Sequence, residues 1–430
     1  MNQEKKKILL LSTGDINGAY ELLFKIADFL NEEGHEVALV VQKKTKKDAF
    51  VYEITKQTNI FKRLFAEISI RLNFFLKTKT DPKYIFLDED ESKKYNNVND
   101  ILKTITFIPE VVISGMTDGF LVTSHLAQIN AITGASIYTI TYDMSPLTGG
   151  CHYAWECRGY EKDCKACPAI IDEKKNDWSH NNLILKMKNI EKAGIKIIAA
   201  SGWTQMQARK SILFQNQDKI ENINSCIDTR LFNSKNRDIA KRIFGVDDDV
   251  KLIFCGAQKM TDHRKGFSYF KESLDILFEM LDAATRNKIC ILIVGRDYQD
   301  SVYTKIPFQT HAIDYIKDYR LLSLAYQASD IFVCPSIEDS GPMMVSEALA
   351  CGTPVVGFEM GVVSNMVIND SNGYKASLKN SSDLANGLFK ILSLDDGEFL
   401  AYSNNAIKQV EMFSSRESLI KILHQILNEN

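Results

Sequence analysis

Residues 331–356 read IFVCPSIEDSGPMMVSEALACGTPVV, and this pattern predicts a strand, an acidic loop, a helix and a second strand. The apolar run that ends near Pro335 is typical of a buried strand. Pro342 suits the first position of a helix, where its missing N–H costs nothing, and Gly352 with Pro354 ends that helix. The order predicts a parallel α/β sheet, with the acidic loop at the carboxyl end of its strand.

The rest of the chain repeats this alternation. In the N-terminal part, residues 8–11 predict a strand, residues 12–18 a turn-rich loop, residues 19–31 a helix and residues 37–41 the next strand. Further strands are predicted at 111–113, 136–140, 195–199, 251–255, 290–294, 330–334 and 354–358. The pattern predicts an α/β fold with two Rossmann-like, doubly wound domains that face each other across a cleft.

We predict the junction between the domains in the irregular, polar segment 224–234. Residues 1–228 are therefore assigned to an N-terminal domain, which includes a cysteine-rich insert at 149–170. Residues 229–430 are assigned to a C-terminal domain, whose last helix we expect to pack back on the first domain.

The composition is that of a compact protein without a membrane span. The chain has 430 residues, 45% of them hydrophobic and 25% charged, with a net charge of −3 at pH 7. This charge gives the chain no electrostatic reason to bind nucleic acid. No run of about 18 apolar residues occurs, and the short run 8–11 is interpreted as a first strand, not as a signal-peptide core. We therefore expect a cytoplasmic location.

The helix predicted after the acidic loop offers a site for an anion. Its first turn has free backbone N–H groups, those of Met343 and Met344 among them, beside Gly341, which lets a ligand approach closely. Glu347 lies in the next turn, within reach of hydroxyl groups on a ligand anchored there. The alternative is an ordinary helix with a solvated Glu347 and a capping Asp339.

Residues 339–355 resemble the signature of the retaining family 4 glycosyltransferases, which have the GT-B fold. That signature has two acids with seven residues between them. Asp339 and Glu347 have this spacing, with Asp where Glu is usual, and residues 347–355 match position by position. The resemblance implies a catalytic contact of Asp339 with the donor sugar, which the adjacent Glu338 can share, and a contact of Glu347 with the nucleotide ribose.

The resemblance extends over most of the chain. Residues 264–266, Arg-Lys-Gly, are similar to the element that binds the donor diphosphate, and residues 224–232 are similar to the family's interdomain linker, apart from one extra residue. The loop 14–18 stands where the family has a glycine-rich loop on the acceptor side. The donor-binding residues predicted in this way are Glu347, Lys265, Arg264, Gly341, Met343, Met344 and Ser340, and the acceptor-side residues are Gly14, Asn17, Gly18 and His152.

Two positions depart from the family pattern. Ala257 and Gln258 stand where the family usually has an arginine, so either Arg264 replaces that arginine or the contact is lost. Tyr142 stands where a histidine often precedes the aspartate that is Asp143 here. We predict a catalytic, acceptor-side role for Asp143, against the alternative that it only caps its loop.

Four of the nine cysteines lie close together in the insert at 149–170, with the spacing C-x5-C-x6-C-x2-C. They are Cys151, Cys157, Cys164 and Cys167. Four thiolates are what a closed structural zinc site requires, and structural zinc is therefore one interpretation. Reduced structural thiols and a redox function are the alternatives. Residues 149–153 also resemble a segment of polysaccharide-building family 4 enzymes, and we place His152 near the acceptor.

The stretch from Lys56 to Lys79 is basic and rich in aromatic residues. It has six Lys or Arg residues against one Glu, interleaved with Phe, Leu and Ile. A basic amphipathic helix can lie on an anionic membrane leaflet, which would suit an enzyme that extends a lipid-linked sugar. The alternative is a helix of the first domain whose Lys and Arg side chains extend to solvent.

These features predict a retaining glycosyltransferase, a hexosyltransferase of EC class 2.4. It would move a sugar from a nucleotide-sugar to a growing, lipid-linked glycan in bacterial surface polysaccharide synthesis, at the inner face of the plasma membrane. We expect no catalytic metal. The alternatives are a degenerate protein that binds nucleotide-sugar without turnover, a GT-B sugar-nucleotide epimerase, and a metal-dependent transferase that uses Asp88-Glu89-Asp90.

Overall fold

The computed structural model describes residues 4–54, 79–86, 90–93, 95–172, 175–224, 226–297 and 305–428. The chain divides into two compact units. The first comprises Met1–Ala200, Thr204–Asn222 and Ile420–Asn430, and the second comprises Ser201–Trp203 and Ile223–Leu419.

The first unit is built on seven parallel strands. They are β1 (Lys7–Gly14), β2 (Glu36–Lys43), β3 (Val51–Glu53), β4 (Val111–Ser114), β5 (Ser136–Thr141), β6 (Lys196–Ala199) and β7 (Glu221–Asn222). The helices of this part are α1 (Asn17–Glu32), α2 (Val98–Leu102), α3 (Thr123–Thr133), α4 (Trp178–Ala193) and α5 (Gly202–Lys210). The last helix of the chain, named α14 below, also contributes its residues from Ile420 onward.

The strand order of this sheet is β3-β2-β1-β4-β5-β6-β7, with every pair parallel. Parallel strands are covered by helices on both faces, which explains why they read as continuous apolar runs. Residues Ile8 to Leu11 of β1 are accordingly fully buried. The direction of the strand order reverses between β1 and β4, and ligands of open α/β sheets bind at such a switch point.

The second unit repeats the arrangement with six parallel strands. They are β8 (Lys251–Lys259), β9 (Ile289–Arg296), β10 (Gln309–Ile313), β11 (Ile331–Cys334), β12 (Val355–Phe358) and β13 (Gly373–Ala376). Its helices are α6 (Arg237–Ile243), α7 (Phe267–Met280), α8 (Ala283–Arg286), α9 (Tyr319–Ala328), α10 (Met343–Ala350), α11 (Val363–Met366), α12 (Ser381–Leu392), α13 (Asp396–Phe413) and the start of α14 (Arg416–Asn428).

The strand order of the second sheet is β10-β9-β8-β11-β12-β13, and its switch point lies between β8 and β11. Its core joins the central strands to α9 and α10. Phe254 of β8, Phe332 of β11 and Tyr326 of α9 pack edge-on or tilted against one another, with ring centroids 5.2–5.4 Å apart. This aromatic cluster fixes α9 against the sheet, and the Tyr326 hydroxyl also donates a hydrogen bond to Glu347 of α10.

The predicted α/β fold with two Rossmann-like sheets is confirmed, and the differences are local. Strands β3, β7, β10 and β13 were not predicted, because edge strands are short and more polar than central ones. Pro342 is the N-cap residue of α10 and not its first helical residue, so the helix begins one position later than expected. No helix in the described ranges is both long and apolar enough to cross a membrane.

Candidate functional site

The predicted donor-side residues of the second unit come together at the switch point of its sheet. Strands β8 and β11 are hydrogen-bonded neighbours, so their carboxyl ends lie side by side. A 3-10 turn, His263–Lys265, follows β8, and the acidic loop 335–342 follows β11. The two segments are in contact, because the Ile337 N–H donates to the Arg264 carbonyl at 2.8 Å.

The central contact of this site is an ion pair between Lys265 and Asp339. The Lys265 ammonium donates to Asp339 Oδ2. The Asp339 side chain is 11% exposed and that of Lys265 is 30% exposed. Burial alone would raise the pKa of Asp339, but Lys265, and more weakly Arg264 and the Gly341 N–H, outweigh burial and hold that pKa below its ordinary value. The carboxyl group is therefore ionised at neutral pH.

Gly266 allows the lysine turn to approach the acidic loop. It has a φ of +64°, and a Cβ added there would lie 1.8 Å from the Pro335 carbonyl oxygen. A side chain at this position would therefore push the turn away from the strand end. The glycine that follows Lys265 thus brings the ammonium within reach of Asp339.

The amino end of α10 adjoins the ion pair. The N-cap residue Pro342 provides no side-chain cap, and the Gly341 N–H lies 3.4 Å from Asp339 Oδ1. The Ser340 side chain is buried, and its Oγ has no hydrogen-bond partner among the residues that the structure describes. A buried hydroxyl beside an uncapped helix start is suited to an anionic, hydrogen-bonding ligand.

Glu347 lies one turn along α10 and is buried, not solvated. Its Oε2 accepts a hydrogen bond from the Tyr326 hydroxyl at 2.9 Å. Burial and the Glu347 carboxylate both raise the pKa of Tyr326, so this phenol stays a donor at neutral pH. The solvated-helix alternative for Glu347 therefore does not describe this side chain.

The remaining donor-side residues have distinct surroundings. Arg264 pairs with Asp262, its guanidinium Nη2 lying 2.6 Å from the carboxylate. Glu338 is buried, and its backbone N–H lies 3.4 Å from the Arg264 carbonyl. Met343 and Met344 form the first turn of α10 and pack against the core of this unit.

The predicted acceptor-side residues belong to the first unit. Asp143 follows β5 and is buried, and its Oδ1 caps the Ser145 N–H at 2.7 Å. Its Oδ2 lies 2.7 Å from Nδ1 of His152, which is 2% exposed. Asp118, which follows β4, lies 3.8 Å from the other ring nitrogen of His152. The imidazole is therefore held between two carboxylates at the carboxyl edge of the sheet.

Burial would raise the pKa of Asp143, but the charge and hydrogen bond of His152 and the bonds from Ser145 hold it below its ordinary value. Two glycines shape the turn that presents His152. A Cβ at Gly149 would lie 2.1 Å from the Ser179 carbonyl oxygen, and a Cβ at Gly150, which has a φ of +132°, would lie 2.5 Å from the Phe86 ring. Asp143 therefore both caps its loop and pairs with the imidazole.

A cavity opens beside this group in the first unit. Asp118, Tyr142 and Asp143 line it, together with Glu91 and Lys186. The Lys186 ammonium donates to the Ser145 carbonyl at 2.6 Å and lies 4.0 Å from Glu91. The cavity thus presents carboxylates and one buried cation to whatever enters it.

The loop predicted at 14–18 is split between two elements. Gly14 ends β1, and Asn17 and Gly18 begin α1. Asp15, between them, is buried and accepts hydrogen bonds from the backbone of Thr45 and Lys46. The loop therefore lies at the switch point of the first sheet.

The four clustered cysteines line one further cavity of the first unit and are free of disulfides. Burial raises the pKa of the Cys151 thiol, and that of Cys164 to about 12. In the described part of the chain, no three His, Cys, Asp or Glu side chains are already arranged as ligands of a metal ion.

Two sequence hypotheses lie outside the described residues. The basic stretch Lys56–Lys79 does so except for Lys79, and Asp88-Glu89-Asp90 does so except for Asp90. Sequence reasoning also missed two residues of the sites, Asp118 and Tyr326. Asp118 follows a predicted strand just as Asp143 does, which was an available signal. Tyr326 lies in a helix whose contact with α10 only the fold creates.

Part of the chain is similar in sequence to known proteins. Residues 236–409 match the family model described as Glycosyl transferases group 1. An uncharacterized glycosyltransferase of Methanocaldococcus jannaschii is 29% identical over 189 residues, which are 42% of this chain and 45% of that protein. The D-inositol 3-phosphate glycosyltransferase of Mycolicibacterium smegmatis is 24% identical over 224 residues, 49% of this chain and 48% of that protein. The chain spans about half the length of the curated relatives it matches.

Solved structures resemble the chain over almost its whole length. Sucrose-phosphate synthase from Thermosynechococcus elongatus has a TM-score of 0.63 at 15% identity, with 99% of each chain covered. Anabaena HepE in complex with UDP and glucose has a TM-score of 0.61 at 15% identity, again with 99% of each chain covered. At these identities the likeness concerns the fold. The chain therefore has the two Rossmann-like domains of the GT-B fold, and the match to the Glycosyl transferases group 1 model covers most of the second of them.

Proposed function

We propose that this protein is a retaining glycosyltransferase that uses a nucleotide-sugar donor bound to its second unit. The observation that carries the proposal is the Lys265–Asp339 ion pair beside the uncapped start of α10, at the switch point of the sheet. A cation and free backbone N–H groups suit a diphosphate, and a carboxylate next to them suits the hydroxyls of a sugar.

The proposed roles follow from position. The diphosphate lies at the start of α10 and near Lys265, with the Ser340 hydroxyl as a further donor. Glu347 lies one turn deeper and accepts hydrogen bonds from the ribose. As the bond to the sugar breaks, charge grows on the leaving diphosphate, and the ammonium already in place stabilises it. Backbone dipoles and this cation face the phosphates, so we propose that no catalytic metal is needed.

The test is a donor screen by thermal shift, followed by transfer assays in which the stereochemistry of the product is determined. UDP-glucose is a first probe, since HepE was solved with UDP and glucose. We expect one nucleotide-sugar to raise the melting temperature of wild type but to have little effect on Lys265→Met. Lys271→Met is the matched control, because Lys271 pairs with Asp275 within α7. Equal stabilisation of both variants, or a product of inverted configuration, would contradict the proposal.

We further propose that the acceptor is a lipid-linked glycan in bacterial surface polysaccharide synthesis, at the inner face of the plasma membrane. The basic, aromatic stretch Lys56–Lys79 supports membrane contact, and the carboxylates of Asp118 and Asp143 beside one cavity suit an acceptor rich in hydroxyls. Vesicle co-sedimentation tests this. We expect binding to anionic vesicles that falls as salt rises, because screening shortens the range of the attraction. Equal binding to neutral vesicles would exclude it.

A further inference from the structure

We propose that Cys151, Cys157, Cys164 and Cys167 bind one structural Zn²⁺ ion. The site lies in the connection between β5 and α4 of the first unit, residues 142–177. This proposed zinc site lies in a different unit from the proposed donor site, and the experiment that tests it does not require glycosyl transfer.

The four cysteines are separated in the sequence but share one cavity. Its lining consists of all four of them with small or aromatic neighbours such as Phe86, Gly159 and Tyr160. All four are free thiols. Four free thiols around one cavity, two of them buried, supply the number and type of donors that a tetrahedral zinc site requires.

Backbone N–H groups lie beside three of the four sulfurs. The pairs are the Gly159 N–H with Cys157 at 3.4 Å, the Gly149 N–H with Cys164, and the Ala169 N–H with Cys167. The hydroxyls of Thr148 and Ser179 donate to the carbonyl oxygens of Cys151 and Cys164, each at 2.8 Å, and so fix the backbone of two of the cysteines. Donors aimed at sulfur stabilise thiolates, and such an outer shell orients the ligands of metal sites.

The segment has little regular structure of its own. Where it is described, the regular structure between β5 and α4 consists chiefly of two short 3-10 turns, Ser145–Leu147 and Gly159–Glu161, and two isolated bridges, Phe86 with Cys151 and Thr80 with Ile170. Trp155, Cys164 and Ala166 have positive φ values, which is unfavourable for non-glycine residues. Long irregular connections inside compact domains are uncommon, and a bound metal stabilises one by contributing its binding free energy to folding.

The thiols surround the cavity but do not yet have the spacing of metal ligands. Neutral thiols are not attracted to a common centre, whereas thiolates around a divalent cation are. Cys157 and Cys167 are only half-buried, so their side chains can turn inward by a change of rotamer. Because Cys151 directly precedes His152, a metal held there also fixes the turn that presents His152 to Asp143.

The direct experiment is metal analysis of the full chain, purified without a histidine tag and without added metal. We expect about one zinc per chain, released when an organomercurial reagent modifies the thiols and detected with a chromophoric chelator. This measurement on wild type requires no variant to fold. Zinc well below one equivalent, or iron accompanied by acid-labile sulfide, would overturn the proposal.

Cysteine variants test which thiols bind the metal. Cys157→Ala and Cys167→Ala remove half-buried thiols, so they disturb packing little, and each is expected to lose most of the bound zinc. Cys255→Ala is the matched control, because Cys255 is a buried thiol of β8, outside the cluster. Titration of metal-free wild type with Co²⁺ should give thiolate-to-cobalt charge-transfer absorption. Zinc retained in both cluster variants, or lost equally in the control, would show that the metal is bound elsewhere.

Discussion

The two units use the same parallel sheet but present their polar residues in different ways. In the second unit, two short segments after β8 and β11 bring Lys265 and Asp339 together. In the first unit, His152 reaches Asp143 only by way of the long irregular connection between β5 and α4. A site on short loops depends on a few local residues, whereas a site on a long connection depends on whatever stabilises that connection. Substitutions in each unit should therefore differ in their effects on donor affinity, acceptor kinetics and stability.

The largest effect is expected from Lys265→Met. Loss of the ammonium removes the cation beside the leaving diphosphate, and removal of one such electrostatic contact lowers turnover by about 10²–10³-fold. Steady-state kinetics with the donor identified by the screen measures this effect. Lys271→Met should keep wild-type turnover, and a Lys265→Met variant as active as that control would place the donor elsewhere.

Glu347→Ala should have the next largest effect. A hydrogen bond to a charged group contributes about 1.5–3 kcal/mol, so donor affinity should fall roughly ten- to a hundred-fold. Asp339→Ala should lower turnover more than nucleotide affinity, because its proposed contact is with the reacting sugar. Isothermal titration with nucleotide-sugar and with the nucleoside diphosphate alone separates the two effects. Glu359→Ala, at an exposed position, is the control.

A smaller effect is expected in the first unit from His152→Asn. His152 positions Asp143, and loss of one such hydrogen bond, about 0.5–1.5 kcal/mol, should lower acceptor kcat/KM roughly two- to tenfold. Donor affinity should not change, since the residue belongs to the other unit. His311→Asn, in an edge strand of the second unit, is the control. A change in donor affinity as large as that in acceptor kcat/KM would contradict the proposal that the second unit binds the donor and the first unit binds the acceptor.

The smallest expected effect is on the pH dependence of the free energy of unfolding. Because Lys265 holds the pKa of Asp339 below its ordinary value, the pair stabilises the fold at neutral pH, and this contribution is lost as pH falls through the folded-state pKa. In Lys265→Met, the largest contribution that opposes burial is removed, so the pKa of Asp339 should be higher than in wild type. The difference in unfolding free energy between wild type and variant should therefore be largest near pH 7 and shrink in acid. Urea unfolding at several pH values measures it, and a constant difference would mean that the pair does not set this pKa.

The sequence alone predicted the central strands of both sheets and the strand, acidic loop and helix of residues 331–356, because the signals there are local. Each apolar run forms one strand, and residues 339–347 form one loop and the helix turns that follow it, so spacing translates directly into position. The edge strands and the N-cap position of Pro342 were not predicted from the sequence, because short polar strands and helix ends carry weak sequence signals.

Only the tertiary structure decided which distant residues meet. Tyr326 bonds to Glu347, and Asp118 and Asp143 enclose His152, through contacts between elements far apart in the chain. It also showed that Glu347 is buried, and that the four cysteines border one cavity. The physical reason is that burial and side-chain pairing depend on how elements pack, which no spacing along a single segment specifies.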